Sequence, residues 1–186
     1  TYEMMTEQKA DNYSSITKTS GQTKSLDKAW FTNDTLKQTL IFELYTDGHR
    51  LVTYHFYNNE IPDELFDRII LHTPEGEVAG KKQKTYDFKG FLTQSVKINS
   101  KYFTTDKGLK LGDYKQKILN IYGRPDKITA KKGIEILAWN FAGDILYDGK
   151  VDLKGKSLAK DSYGHQAYLF FKNRKLIAQV LYNDIP

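Results

Sequence analysis

Cysteine is missing from all 186 residues, which removes disulfides, thiol catalysis and cysteine-based zinc sites together. Arginine is scarce. It stands only at Arg50, Arg68, Arg124 and Arg174, so most of the 28 basic side chains are lysines scattered along the chain. Nucleic-acid binding calls for a focused patch, often rich in arginine. A net charge of +5 dispersed in this way reads instead as solvated surface and guarded strand edges, and no nucleic-acid partner is expected. No apolar run approaches the ~18 residues of a membrane span. The four histidines, His49, His55, His72 and His165, form neither HxH nor HExxH spacing, so no metal is expected. There is no GxSxG elbow. The Gly108–Gly112 spacing lacks the Lys-Ser/Thr tail of a phosphate loop. No catalytic residue and no cofactor are expected.

Aromatic residues are what the chain has in excess: 13 Tyr, 10 Phe and 2 Trp. With many Thr, Ile and Val they lean toward β structure, and a chain of this length buries roughly 70% of its extended surface. Residues 1–12 hold no sustained period and read as a flexible leader; 13–186 read as one domain, β-rich over 13–103 and helix plus antiparallel sheet over 104–186. The run "TLIFELYTDGHRLVTYHFYN" places two β-rich segments around Asp47-Gly48, a two-residue hairpin turn that would pair Leu44 with Leu51 and Glu43 with Val52. Pro62 opens a brief helical turn. Glu60, Asp63, Glu64 and Asp67 lie around it; a glycosidase would need two such carboxylates about 5–9 Å apart across a cleft, whereas a polar turn accounts for them without chemistry.

The densest punctuation is "TTDKGLKLGDYKQKILNIYGRPDKI", 104–128. Asp113 can cap a helix, with Gln116 completing a capping box. Ile118, Ile121 and Tyr122 share an apolar face, and Gly123 and Pro125 end the helix, which is placed at 113–122. Gly108 and Gly112 supply sharp turns before it. Two hairpins follow, one across Lys131-Lys132-Gly133 and one at Asn173-Arg174, separated by the glycine- and lysine-rich loop "GDILYDGKVDLKGKSLAKDSYG". In the last hairpin a two-residue turn would set Leu169, Phe171, Leu176, Ala178 and Val180 on one continuous apolar face under the helix. The expected fold is α+β, mainly antiparallel sheet, with one principal helix packed on it.

"KGLKLGDYKQKILNIYGRPDKI" followed by "AYLFFKNRKLIAQVLY" resembles small exported bacterial modules of the β-lactamase-inhibitor-protein-like group, which includes the SmpA/OmlA (BamE-type) outer-membrane lipoproteins. The shared pattern falls on Gly108, Gly112, Gly123 and Pro125, with Asp113 at the helix start. The resemblance covers 104–186. It implies a β-lactamase-inhibitor-protein-like C-terminal half, a periplasmic or surface location, and a part in protein contact or envelope maintenance. The start at Thr1 reads as a trimmed product, so any membrane link would run through a lost N-terminal lipid anchor.

Tyr54, Trp139, Tyr168 and Phe170 are the binding candidates, all on expected strands. Rings sharing an exposed sheet face would make a platform for another envelope or secreted protein or, as the alternative ligand, a glycan; the same rings serve routinely as core packing. The expected function is therefore a non-enzymatic exported protein that binds a protein through a sheet face, or a carbohydrate- or small-ligand-binding protein using those rings.

Overall fold

The computed structural model describes residues 26–45, 50–65, 95–99 and 104–184. They build one eight-stranded sheet: β1 (Leu26–Asn33), β2 (Gln38–Tyr45), β3 (Arg50–Tyr57), β4 (Val96–Lys97), β5 (Lys127–Lys131), β6 (Ile134–Ala142), β7 (Gly164–Lys172) and β8 (Lys175–Asp184). The strand order is β4-β1-β2-β3-β8-β7-β6-β5. Only the short β4 pairs in parallel, on β1. One helix, α1 (Lys115–Tyr122), packs on the sheet, and a helical turn begins at Asp63. The fold is thus α+β and mostly antiparallel. Among the described residues no helix is long and apolar enough to cross a membrane.

The hairpin chemistry sets the registers. β2 meets β3 with Leu44 opposite Leu51 and Glu43 opposite Val52, as a turn at Asp47-Gly48 requires, although that turn lies outside the described residues. β5 and β6 close at Lys131 and Ile134 across Lys132 and Gly133, whose φ values of 51° and 76° fit a primed turn. β7 and β8 close across Asn173 and Arg174, with φ of 52° and 63°. The N-terminal ribbon joins the C-terminal one through the β3–β8 seam, whose end is pinned by Arg50 to Asp184 at 2.7 Å.

Both faces of the central strands are buried. Phe31, Leu40, Phe42, Leu137, Trp139, Leu169 and Phe171 form the layer beneath α1, with Ile118 and Tyr122 of the helix set into it. Ile118 is fully buried, and burying a side chain of that size stabilises by about 1.5–3 kcal/mol. Ile41, Val52, Tyr54, Phe56, Phe170, Ala178 and Val180 form the opposite layer, together with Leu65 from the helical turn. The continuous face expected on β7–β8 does not form. Phe171 pairs with Leu176 but Phe170 with Ala178, so Ile177 is an extra residue in a bulge. The bulge leaves Leu176 beneath the helix and turns Ala178 and Val180 to the other side.

The capping box is also absent, and α1 begins two residues later than expected. Tyr114 holds the N-cap position without a side-chain cap. The Lys115 N–H instead donates to the Arg174 carbonyl at 2.9 Å, so the tip of the β7–β8 hairpin satisfies the helix start. Asp113 folds back, accepting from the Lys110 N–H at 3.0 Å and from Lys117 Nζ at 2.7 Å. Gln116 donates to Asn120 rather than to the cap. Gly112, at φ 88°, brings its N–H to the Leu176 carbonyl at 2.7 Å. Gly123, at φ 73°, ends the helix with its N–H on the Leu119 carbonyl at 2.8 Å. Gly108 turns at φ 69°, and Pro125 follows half-buried.

Candidate functional site

The four ring candidates do not converge. Tyr54, Trp139 and Phe170 are at most 2% exposed, and Tyr54 and Phe170 lie on the opposite side of the sheet from Trp139. Burial therefore removes these three from any exposed platform; the aromatic excess goes into a core packed on two faces. Tyr168 is half-buried and meets Tyr182 edge-on at 5.7 Å.

The acids around the helical turn are held by lysines. Glu60 pairs with Lys172 at 2.6 Å, Asp63 with Lys132, and Glu64 with Lys131 at 3.0 Å. They staple the 60–65 segment to the tips of both C-terminal hairpins; Asp67 lies outside the described residues. His49 and His72 lie outside them as well. His55 is fully buried, opposite Leu40 in the β2–β3 ribbon and between Gln38 and Gln179. Among the described residues no group of three metal-ligating side chains stands together.

A cleft of about 900 Å³ opens elsewhere, where the C-terminal end of α1 meets the loop joining β6 to β7. The loop, 143–163, is a structured wall. Its base is knit by Ala159 N–H to the Ala142 carbonyl (2.7 Å), Asp144 N–H to the Ala159 carbonyl (3.0 Å) and Gly143 N–H to the Tyr163 carbonyl (3.2 Å). The Ser162 N–H caps Asp144 Oδ1 at 3.1 Å and is the main cause holding that carboxyl below the usual range. Gly143 is required for steric reasons, because a Cβ there would collide with the Ser162 carbonyl.

One lysine pins the wall to the sheet. Lys156 Nζ reaches the Asp126 carboxylate and the Asn140 carbonyl (3.1 Å), and sits 5.5 Å from the centre of the Phe141 ring. Partial burial pushes the Asp126 carboxyl up. The hydrogen bonds from Lys156 and the Asn140 N–H outweigh it, so the group lies below the ordinary carboxylate range.

Behind the cleft runs a row of rings. Trp139 and Tyr122 are 5.4 Å apart between centroids, Tyr122 and Phe141 5.8 Å, and Phe141 stacks on His165 at 5.9 Å. Trp139 Nε1 donates to the Gly123 carbonyl at 3.2 Å, tying the row to the helix end. Burial pushes the Tyr122 phenol up, and Asp106 adds to the shift. Burial lowers His165, against the hydrogen bond between its Nδ1 and Asn183 Oδ1 at 2.5 Å; the imidazole is therefore neutral near neutral pH.

The rim is cationic. Lys107, Arg124, Lys154, Lys156 and Lys160 line the cleft against Asp106 and Asp126, an excess of three positive charges. Lys107 Nζ also stands 5.9 Å from the Tyr122 ring centre. Sequence reasoning did not find this site. Its cations come from three separate stretches of chain, each of which reads alone as solvated surface charge; Ile121, Tyr122, Gly123, Arg124, Pro125 and His165 are all singled out in the sequence, but for separate reasons that do not bring them to one cleft.

No family model matches the chain, and neither a curated protein nor a solved structure matches it.

Proposed function

We propose that the protein is a non-enzymatic binding protein whose cleft takes an anionic ligand with a flat or apolar body, such as a phosphorylated or carboxylated ring compound. The observation that carries this reading is the cationic rim set above an aromatic wall in one cleft of about 900 Å³. That size lies in the range of small-molecule sites, although the lining here is more polar than such sites usually are. The walls lower the local dielectric, so each rim cation attracts an anion more strongly than it would on an open surface.

Binding is favoured over turnover because Ser162 and His165, a hydroxyl and an imidazole at the cleft, are committed to the fold. The Ser162 hydroxyl donates to the Gly164 carbonyl at 2.9 Å and accepts from the Gly164 N–H at 3.0 Å, while His165 Nδ1 is held by Asn183. A cleft ligand is favoured over a sheet-face partner because both sheet faces are packed. The exported, envelope-associated setting belongs to the proposal too; it rests on the resemblance of 104–186 to the β-lactamase-inhibitor-protein-like modules.

Calorimetry with 1-naphthyl phosphate tests the reading. Binding should weaken with added salt and fall by roughly tenfold in Arg124→Glu or Lys160→Glu, as expected for losing one screened charge pair and gaining a repulsive one. The ligand should be recovered intact. Affinity in both variants unchanged from that of the unsubstituted protein rejects the cleft, and release of naphthol rejects the non-enzymatic role.

A further inference from the structure

Among the described residues, no strand lies beyond the outer edge of β5. β5 is last in the strand order and pairs with β6 from Lys127↔Ala138 to Lys131↔Ile134, and all five of its residues are exposed. In an antiparallel ribbon alternate residues turn both backbone groups toward the partner, and those between turn theirs away. The turn at Lys132-Gly133 is closed by the Lys131–Ile134 pair, so Lys127, Thr129 and Lys131 bond inward while Ile128 and Ala130 present N–H and C=O outward.

The edge also has two unlike sides. Ile128 lies opposite Leu137, which belongs to the layer beneath α1. Ile128 is 56% exposed, and Ile121 in the last turn of α1 is 39% exposed. The other side carries Lys127, Thr129 and Lys131, one step away along the strand.

We propose that β5 accepts an extended acidic segment of another protein as a ninth strand. Apolar side chains of the segment would lie on the Ile128 side and its carboxylates beside Lys127. The charges choose this occupant over a second copy of the chain. Two β5 edges meeting antiparallel would bring Lys127 against Lys131, and like charges directly opposite are destabilising. The lysines thus guard the edge against itself while favouring an acidic strand. Lys131 already pairs with Glu64, so Lys127 carries the selection most directly.

The test uses the full chain, ¹⁵N-labelled, and a seven-residue peptide of alternating Glu and Val. The Ile128 and Ala130 amide signals should move the most. N-methylation of the peptide amides that face β5 should abolish binding, whereas methylation of the alternate amides should leave it unchanged. Lys127→Glu should weaken binding by about threefold or more. Equal binding of the two methylated peptides, or shifts confined to the Arg124–Lys160 cleft, would overturn the strand-addition geometry. A dimer whose interface protects the Ile128 and Ala130 amides would replace the acidic segment with a second copy.

Discussion

Replacing His55 with glutamine should remove a specific part of the protein's sensitivity to acid. His55 is fully buried. Its Nε2 lies 2.8 Å from Gln38 Oε1 and its Nδ1 3.1 Å from Gln179 Nε2. An amide oxygen on one side and an amide nitrogen on the other fit a neutral ring that donates from Nε2 and accepts at Nδ1. Protonation would set an N–H at Nδ1 against the N–H of Gln179. Burial drives the imidazole down from 6.5 to about 3. Between those values the unfolded chain binds a proton that the folded chain refuses. Stability is therefore complete above about pH 6.5 and falls by about 1.4 kcal/mol per unit as the solution is acidified. The loss from this one group is about 2 kcal/mol at pH 5 and approaches about 5 kcal/mol near pH 3. His55→Gln cannot titrate, whatever it costs in packing. Urea denaturation of both proteins from pH 7.5 to pH 5 should show their stability difference changing by about 2 kcal/mol, the variant losing less. The ring resonances of His55 should show no inflection over the same range. A constant difference between the proteins, or a ring titrating near 6.5, would refute the reasoning.

Gly143→Ala should cost about 3 kcal/mol in chemical denaturation, because the new methyl meets the Ser162 carbonyl and one of the two backbones must shift. Gly112→Ala should cost about 1–2 kcal/mol from its left-handed φ. Its Cβ would also lie 3.1 Å from the Tyr57 hydroxyl, so adding Tyr57→Phe should recover only the crowding and not the backbone strain. Lys156→Met should let the Asp126 carboxyl, observed by carboxyl-carbon NMR, rise toward the ordinary range. The stabilisation that Asp126 gives the native protein is present above the ordinary carboxylate range and lost as the pH falls through its depressed value, and the variant, which keeps only the Asn140 N–H on that carboxyl, should show a smaller acid transition.

Local chemistry made several elements legible in the sequence. Asp47-Gly48 implies the pairing of Leu44 with Leu51; the turn expected across Lys131-Lys132-Gly133 closes at Lys132-Gly133, with Lys131 still in β5; and of the apolar face expected from Ile118, Ile121 and Tyr122, the first and last are buried while Ile121 is exposed. What escaped depends on contacts between distant segments. The Arg174 carbonyl, delivered by a hairpin formed some sixty residues later, takes the role that Asp113 would fill in an isolated helix. The bulge at Ile177 carries no glycine or proline to mark it; two-sided burial around Leu176 and Ala178 is what accommodates it. Strand alternation sets Glu135, Leu137, Trp139 and Phe141 on one face of β6, and the structure packs Leu137, Trp139 and Phe141 of that face with the helix. Alternation could not tell a covered ring from a bare one, which is why Tyr54, Trp139 and Phe170 read as a platform. The cleft was hidden because Lys107, Arg124 and Lys154–Lys160 come together only when the loop is pinned by Lys156 to Asp126.

Amide and ring shifts in the ¹⁵N- and ¹³C-labelled protein during a titration with 1-naphthyl phosphate test the central claim most directly. The account predicts saturable shifts at Arg124, at 154–160 and at the His165 and Phe141 rings, with the β5 edge unmoved. Shifts scattered over surface lysines, or none at the cleft when the ligand is in large excess, would contradict it.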